Sequence, residues 1–453
     1  VHGPTKVKAA ATKLRTAGIP ASAIWTEDWI GAAAKLGGYH LNYQWHADTT
    51  LYPDLKGLTG ALHAQGFRFL GYFNAFITGG SKQWQEAGQK GHAIKDAAGK
   101  QLNFLGPLME QNTLPDLTRA AAVKWLQGYF AQAEQLGFDG WMADYGEWLP
   151  YEAKMADGKA GVEAHNLYPL LWQQANRQLR DRERPEGDYV FFVRSGWAGT
   201  GGLAPVVWAG DQQTEFGGLD GMASVIPLCV NAGMSGIPIM THDIGGYTTW
   251  KTSPRDRELF YRWTALGAFS PIMRTHHGAQ AEENWSWDRD RQTIDLFREY
   301  ARIHVELFPY RYSLAREASR TGLPMMRHLV LHYAEDPQAA RVADQFLLGP
   351  SLLVAPVQEP GARSRSVYLP PGRWYDYFGD SSYEGGSRRT VNAALDEIPV
   401  FVPAGAIIPL FPVPIDTLAR TDDPSLTDLR AAESGKLGLR VYLGADGSFE
   451  LYD

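Results

Sequence analysis

The chain has 453 residues, of which 44% are hydrophobic and 21% charged, as in an ordinary globular protein large enough for two domains. Its 43 basic and 50 acidic side chains give a net charge of −7 without a dense basic run, which argues against a nucleic-acid partner. Cys229 is the only cysteine, which excludes an internal disulfide and a cysteine-based metal site, and no apolar stretch is long enough to span a membrane.

Residues 1 to about 315 alternate short apolar strands with amphipathic helices, which is the pattern of parallel βα units. The predicted helices, each followed by a glycine, are Lys6–Ala17, Leu55–Gln65 and Ala120–Leu136. The predicted strands are Ala23–Trp25, Phe67–Phe73, Gly140–Asp144, Val190–Arg194, Val206–Trp208, Ile237–Thr241 and Pro271–Thr275. Seven strands are one fewer than a closed barrel needs, so we expect a (β/α)8 TIM barrel over residues 1–318 whose first strand would precede Val1.

From about residue 323 the pattern changes to short β runs separated by Pro and Gly. These runs are Phe346–Leu348, Leu352–Val357, Ser366–Leu369, Val400–Val402, Ala406–Leu410 and Leu439–Leu443. Such spacing predicts a C-terminal β-sandwich over residues 319–453. Both ends of the chain look truncated, and the sequence indicates neither a compartment nor an oligomeric state.

Charged and histidine residues follow the predicted barrel strands, at the rim where barrel enzymes keep their active sites. In chain order they are Glu27, Asp28, Asp144, Glu147, Arg194, Asp211, His242, Asp243, Arg274, His276 and His277. Carboxylates accept hydrogen bonds from hydroxyls, Arg donates them, and Trp or Tyr covers the ring face, so this set suits a polyhydroxyl substrate, and the partner that we expect is a small carbohydrate. The aromatic content of 12% agrees with that interpretation, although a large aromatic core explains it equally well.

Two of these carboxyls can divide the work of glycosidic hydrolysis, which needs one ionised and one protonated group. Asp144 and Asp211 end different strands, so we expect both to face one pocket. Arg194 and Arg274 would hold Asp144 ionised, whereas the indole of Trp208 would desolvate Asp211 and raise its pKa.

The alternatives to catalysis are weaker. A single Asp after a strand is as often a helix cap, and it is the agreement of about six strand ends that favours catalysis. His242, Asp243, His276 and His277 together with Asp144 would suit a metal, but no HExxH-type spacing supports a metal site. No Gly-rich phosphate loop follows a strand, so neither a metal nor an organic cofactor is predicted.

Residues Gly137–Pro150 resemble the nucleophile motif of glycoside hydrolase family 31, and more narrowly its sulfoquinovosidase-like branch. Further blocks similar to the family follow in the same order at Phe191–Gly196, Trp208–Gln212, His242–Thr249, Met273–His276 and Gln345–Pro356. The resemblance implies a barrel with β-sandwich domains and a retaining mechanism on α-glycosides, with Asp144 as nucleophile and Asp211 as acid/base. It also implies a substrate site made of Glu27, Trp141, Arg194, Trp208, Gln212, Asp243, Tyr247, Arg274 and His276.

Family members usually carry an N-terminal β-sandwich before this point, so a missing segment of that kind is one partner that the resemblance implies. In the sulfoquinovosidase-like branch an Arg-x-x-Trp pair and a Tyr hold the substrate sulfonate. Tyr247 matches the Tyr, but no Arg lies between Arg15 and Arg68. If this chain is aligned to the branch on residues 42–45, the Arg-x-x-Trp pair falls on Gly38 and Leu41. If it is aligned without a gap from Glu27, the pair falls on His40 and Tyr43.

Glu27 also stands where that branch has Gln, and a carboxylate repels a sulfonate. Loss of the charged clamp would cost about 2–5 kcal/mol of binding. We therefore predict an exo-acting retaining α-glycosidase for a neutral α-hexoside, of the α-glucosidase type. A sulfoquinovosidase in which His40 partly replaces the Arg is the alternative. A catalytically silent carbohydrate-binding protein is the alternative of another class, against which the presence of both Asp144 and Asp211 argues.

Overall fold

The computed structural model describes residues 3–35, 38–249, 252–432 and 436–452. The chain divides into two compact units. The first unit comprises residues 1–14, 22–207 and 419–425, and the second comprises residues 15–21, 208–418 and 426–453. Within the described part of the chain, no helix is both long and apolar enough to cross a membrane.

Helices and short strands alternate up to residue 208. The helices are α1 (Pro4–Thr16), α2 (Leu55–Ala64), α3 (Lys82–Lys90), α4 (Ala120–Gln135), α5 (Gly161–Ala164) and α6 (Tyr168–Glu183). The strands are β1 (Ala23–Trp25), β2 (Ala32–Lys35), β3 (Gly38–Leu41), β4 (Arg68–Asn74), β5 (Ile77–Thr78), β6 (Phe104–Leu105), β7 (Gln111–Thr113), β8 (Gly140–Asp144), β9 (Val190–Val193) and β10 (Val206–Trp208).

The first unit is built on a parallel sheet in the order β1, β4, β8, β9 and β10. In its register Asn74 at the end of β4 lies beside Asp144 at the end of β8. Parallel strands bring their carboxyl ends to one edge, so the polar residues that end these strands meet there. The apolar run Val190–Val193 is almost wholly buried, as expected when both faces of a sheet are covered.

Aromatic packing fills the space between this sheet and its helices. Phe73 of β4 makes T-shaped contacts with Phe130 of α4 and Trp141 of β8, at ring-centroid distances of 4.7 and 5.0 Å. Phe138 packs edge-on against Phe69 at 4.9 Å. Much of the high aromatic content is therefore core packing, which stabilises the sheet beyond the area that it buries.

After residue 208 the helices are α7 (Met222–Met234), α8 (Arg257–Ala268), α9 (Arg291–Glu306), α10 (Phe308–Thr321) and α11 (Leu429–Ala432). The strands are β11 (Met240–Thr241), β12 (Met326–Arg327), β13 (Phe346–Leu348), β14 (Leu352–Val354), β15 (Ser364–Leu369), β16 (Arg373–Asp376), β17 (Ser382–Glu384), β18 (Ser387–Asn392), β19 (Val400–Pro403), β20 (Ile407–Leu410) and β21 (Gly438–Val441).

The second unit ends in antiparallel sheets. One has the order β12, β13, β14, β19, β16 and β17, and the pairs β15–β18 and β20–β21 form two more. Leu347, Leu353 and Phe401 of the long sheet share one core with Val367 and Leu369 of β15. Two sheets that bury their inner faces against each other form a β-sandwich.

The predicted strands Ala23–Trp25, Gly140–Asp144 and Val206–Trp208 are confirmed to the residue. The prediction for Pro271–Thr275 is wrong, because within the described range 252–432 this segment forms only a bridge between Ile244 and Thr275. Its backbone is held by side chains instead. Arg311 donates to the Pro271 carbonyl at 2.8 Å, and the Met273 N–H donates to His304 at 3.3 Å.

Candidate active site

Asp144 lies at the end of β8, is 7% exposed and has both carboxylate oxygens bound. The Tyr72 hydroxyl donates to Oδ2 at 2.7 Å, and the Tyr145 N–H donates to Oδ1 at 2.8 Å. The Arg194 Nε atom lies 3.4 Å from Oδ1. These three contacts hold the carboxylate in one orientation at the carboxyl edge of the sheet.

Burial raises the pKa of Asp144 above its usual value, and the nearby charge of Glu147 adds to that effect. The positive charge of Arg194 and the hydrogen bond from Tyr72 act in the opposite direction and stabilise the carboxylate. A buried carboxylate stripped of water is a stronger nucleophile than a solvated one once it is ionised. The charge of this buried carboxylate therefore depends on Arg194 and Tyr72.

Tyr145 follows Asp144 with a backbone φ of 60°, an uncommon conformation for a residue that is not glycine. Its carbonyl accepts a 2.7 Å bond from the Ser195 hydroxyl, and the Arg194 guanidinium lies 3.9 Å above its ring. Glu147 then holds Arg194 from the other side, at 2.6 Å from Nη2 and 3.0 Å from Nε. The strained turn thus packs Arg194 between a ring and a carboxylate, facing Asp144.

Tyr43 belongs to the same cluster. Its hydroxyl lies 3.1 Å from that of Tyr145. Burial raises the pKa of Tyr43, and the negative charges of Asp144 and Glu27 raise it further, so the half-buried Glu27 lies near this hydroxyl. Tyr43 is one of the two positions that the ungapped alignment assigns to the sulfonate pair.

His40 is half-buried on the β2–β3 hairpin, opposite Ala33. Gly38 and Leu41, the positions of the other alignment, pair with Lys35 and Ala32 on the same hairpin.

In the second unit, hydrogen bonds tie together three loops that carry predicted site residues. The N–H groups of Tyr247 and Thr248 donate to the Gln212 carbonyl at 2.8 and 3.0 Å. The Ile244 N–H donates to the Arg274 carbonyl at 3.0 Å, and the Ala279 N–H donates to Tyr247 at 2.8 Å. The loops of Asp211, Asp243 and Arg274 are therefore held to one another by main-chain bonds.

Asp243 and Arg274 form a buried ion pair, with 2.9 Å between the carboxylate Oδ1 and Nη2. Asp243 is 1% exposed, and the Arg274 guanidinium lies 5.8 Å from the centre of the buried Trp208 ring. An ion pair with little water around it keeps a defined geometry.

His276 is neutral in this environment, because burial lowers its pKa to about 3. The Gly278 N–H donates to its Nδ1 at 2.8 Å, so the ring proton is on Nε2. Its ring makes a T-shaped contact with Tyr247 at 4.8 Å. His276 is therefore a neutral imidazole that carries its proton on Nε2.

His242 is fully buried and has a scaffolding role. Its Nδ1 accepts a bond from the Trp263 indole at 3.0 Å, and its Nε2 donates to Ser270 at 2.8 Å. Among the residues that the structure describes, no cluster of His, Cys, Asp or Glu could hold a metal ion.

Three predictions need correction or comment. Trp141 is fully buried and donates at 2.7 Å to Asn176 of α6, so it packs the core in place of the predicted sugar contact. The Gln212 side chain is 1% exposed and donates to the Ala209 carbonyl at 2.5 Å, so its present role is to shape its loop. Asp211 is exposed, so the expected desolvation by Trp208 is not observed.

Tyr72 was not predicted from the sequence, because it lies inside β4, whereas the charged and histidine residues predicted at the rim lie at or after strand ends. The signal was available. Tyr72 alternates with Phe73, so the two side chains point to opposite faces of the sheet, and Phe73 faces the helices.

Two family profiles match the chain. The Glycosyl hydrolases family 31 TIM-barrel domain matches residues 2–314, and the Glycosyl hydrolase family 31 C-terminal domain matches residues 322–408. Together with the parallel and antiparallel sheets described above, these matches confirm the predicted fold class, a TIM barrel followed by a C-terminal β-sandwich.

Among known proteins, a sulfoquinovosidase from Agrobacterium fabrum is 37% identical over 393 residues, covering 86% of this chain and 59% of the relative. A sulfoquinovosidase structure from E. rectale, in complex with an aza-sugar inhibitor, has a TM-score of 0.85 at 32% identity, covering 88% of this chain and 60% of that one. A Flavobacterium johnsoniae dextranase complexed with glucose also has a TM-score of 0.85 at 29% identity, covering 98% of this chain and 54% of that one. The chain thus spans 59% of the length of the Agrobacterium relative.

Proposed function

The chain belongs to glycoside hydrolase family 31, and on that premise we propose that it is a retaining α-glycosidase with Asp144 as nucleophile and Asp211 as general acid/base. The observation that carries the proposal is the environment of Asp144. This buried carboxylate accepts hydrogen bonds from Tyr72 and Tyr145 and lies beside Arg194, so it is oriented and its charge is stabilised. A carboxylate that only capped a turn would need neither the Tyr72 hydroxyl nor the guanidinium.

In the proposed first step, an Asp144 oxygen forms a bond to the anomeric carbon while the bond from that carbon to the leaving oxygen breaks. Asp211 donates its proton to the leaving oxygen. In the second step Asp211 takes a proton from water, and the water oxygen displaces Asp144 from the anomeric carbon. Two inversions give net retention of configuration. Because Asp211 is exposed in the free protein, bound sugar would have to supply the desolvation that keeps it protonated.

We propose that the other predicted site residues recognise the sugar hydroxyls. Glu27 and Asp243 supply acceptors, since both are carboxylates. Arg194, Arg274 and the neutral His276, whose proton is on Nε2, supply donors. Tyr247 supplies an aromatic surface, whereas the buried Trp208 acts by packing near the Arg274 guanidinium.

For the substrate, we propose an α-sulfoquinovoside. The support is that the Agrobacterium relative and the E. rectale structure are both sulfoquinovosidases. In this proposal His40 and Tyr43 take the places of the Arg and the Trp that hold the sulfonate in the sulfoquinovosidase-like branch. Tyr247 supplies the third contact to the sulfonate. The neutral α-hexoside that we predicted from the sequence becomes the second candidate.

The observation that favours a neutral hexoside is Glu27. Its negative charge acts on Tyr43 and Tyr72, which are the hydroxyls around Asp144, so the site already contains two carboxylates close together. A sulfonate would add a further negative charge, and the guanidinium beside Asp144, that of Arg194, is already shared between Asp144 and Glu147. The dextranase that was solved with glucose matches the fold equally well.

The two candidates predict opposite results in one experiment. Values of kcat/KM are measured for 4-nitrophenyl α-sulfoquinovoside and 4-nitrophenyl α-glucoside, with Asp144→Ala as the blank. Preference for the sulfoquinovoside supports the main proposal, and preference for the glucoside supports the second candidate. If neither is turned over faster than by the blank, the glycosidase proposal is wrong for these sugars.

A further inference from the structure

Arg255 is 2% exposed and lies between two of the loops of the second unit that carry predicted site residues. Its guanidinium donates to five main-chain carbonyls. The donor–acceptor distances are 2.6 Å to Trp285, 3.4 Å to Ile244, 3.0 Å to Gly246, 2.6 Å to His276 and 3.3 Å to His277.

The bonds are divided by nitrogen atom. Nη1 binds the loop that contains Asp243 and Tyr247, whereas Nη2 binds the loop that contains Arg274 and His276. A guanidinium is planar and rigid, so atoms held by its two ends keep a constant separation. The Arg255 guanidinium therefore fixes the distance between the two loops.

The backbone of Arg255 is itself fixed. Its N–H donates to the Asn284 side chain at 2.9 Å, and its carbonyl accepts from the Trp285 N–H at 3.0 Å. The Asn284 amide also donates to the His277 carbonyl at 2.9 Å. Hydrogen bonds thus hold both the main chain and the side chain of Arg255 in place.

The loop of Asp243 closes tightly over the Arg255 side chain. A Cβ at Gly245 would lie 2.6 Å from Arg255 Cδ, and the φ of Gly245 is +87°. A side chain at this position would meet both a steric clash and backbone strain. The fit indicates that the loop conformation is built around this arginine.

Arg255 remains charged although it is buried. Burial lowers its pKa to about 10, and the charge of Asp243 opposes that effect. Asp243 therefore faces positive charge from both Arg255 and its ion-pair partner Arg274. Arg255 thus keeps a positive charge beside Asp243 while it binds the loop on which Asp243 lies.

We propose that Arg255 is a positioning residue that fixes the loop of Asp243 and Tyr247 to the loop of Arg274 and His276. It acts through these residues and does not touch the sugar itself. The proposal rests on the proposed function only for its kinetic consequence, since the fixing of the loops is a property of the fold.

The variant Arg255→Lys tests the proposal, because a single ammonium group cannot span carbonyls on two loops. Arg262→Lys is the matched control. Arg262 is also 2% exposed, and it donates to four carbonyls, at 2.6 Å to Ala394, 3.0 Å to Glu397, 2.7 Å to Ala362 and 3.3 Å to Ala393. Both variants should lose similar thermal stability, but only Arg255→Lys should disturb the site loops.

Two measurements test whether Arg255 fixes the two loops. Hydrogen exchange followed by mass spectrometry should show faster exchange of residues 243–247 and 276–278 in Arg255→Lys and wild-type exchange there in Arg262→Lys. For the correctly folded fraction, kcat/KM of Arg255→Lys should fall about 10- to 100-fold, as expected for small misplacements of binding groups, with KM raised. Arg262→Lys should keep the wild-type KM.

Equal exchange in the two variants, or a wild-type kcat/KM in Arg255→Lys, would overturn the proposal. If the wild-type protein itself turns over neither glycoside, the proposed function fails, while the exchange comparison still decides whether Arg255 fixes the two loops.

Discussion

The Tyr72 hydroxyl donates a 2.7 Å hydrogen bond to the Oδ2 atom of Asp144, and both groups are buried. The two residues lie on adjacent parallel strands, β4 and β8, so their relation is set by the sheet register and does not depend on a loop. A hydrogen bond to the charged form of a carboxyl group lowers its pKa. Tyr72 therefore counteracts part of the rise in the pKa of Asp144 that burial causes.

We predict that Tyr72→Phe moves the acidic limb of the kcat/KM profile to higher pH by about one unit, since a bond of this kind contributes about 1.5 kcal/mol or more. The nucleophile must be ionised, so activity is lost as pH falls through the pKa of Asp144, and removing the bond raises that pKa. Tyr168→Phe is the control, because Tyr168 is a buried tyrosine whose hydroxyl binds the Pro115 carbonyl. An acidic limb that moves equally in both variants would contradict the prediction.

Glu147→Gln should move the same limb in the opposite direction. The charge of Glu147 raises the pKa of Asp144, so its neutralisation lowers that pKa and extends activity to lower pH. The glutamine can still accept a hydrogen bond from Arg194, which limits any change in geometry. A pH profile of kcat/KM measures the effect, and a shift to higher pH would mean that Arg194 had moved away from Asp144.

Asp211→Asn should separate substrates by their leaving groups. An amide cannot donate the proton that a poor leaving group needs, so kcat/KM on an alkyl glycoside should fall by about 10²–10⁴-fold. A 4-nitrophenyl glycoside needs little protonation and should lose much less. The ratio of the two losses is the measurement, and a ratio near one would argue against Asp211 as the acid.

Substrate choice should respond to the charges around Glu27. Glu27→Gln combined with His40→Arg removes a negative charge and adds a fixed positive charge, so kcat/KM on the sulfoquinovoside should rise relative to the glucoside. The same Glu27→Gln change combined with Gly38→Arg is the matched comparison for the other alignment. A larger gain from the Gly38 pair would favour the gapped alignment over the one that uses His40 and Tyr43.

The ends of the buried strands could be predicted because each such strand is a short run of apolar residues in the sequence. An apolar run such as Val190–Val193 can be located from the sequence, and polar residues directly after such runs reach one rim. Asp144 and Arg194 were found in this way, and the structure brings them to 3.4 Å.

The sequence did not predict features that depend on contacts made only in the folded chain. The Pro271–Thr275 segment looked like a strand, but its carbonyl and amide groups bind Arg311 and His304. Trp141 looked like a sugar contact because it lies in a family motif, yet strand alternation turns it toward Asn176 in the core. Arg255 has no sequence signature, because its partners are carbonyls that meet only in the folded loops.

If Asp144 is the nucleophile, it forms a covalent bond with the sugar, and this intermediate can be trapped. The protein is incubated with a 5-fluoro-α-glycosyl fluoride of the preferred sugar, digested and analysed by mass spectrometry. We expect one added glycosyl group on the peptide that contains Asp144, and no label in Asp144→Ala. A label on another carboxylate, or turnover by Asp144→Ala at the wild-type rate, would contradict it.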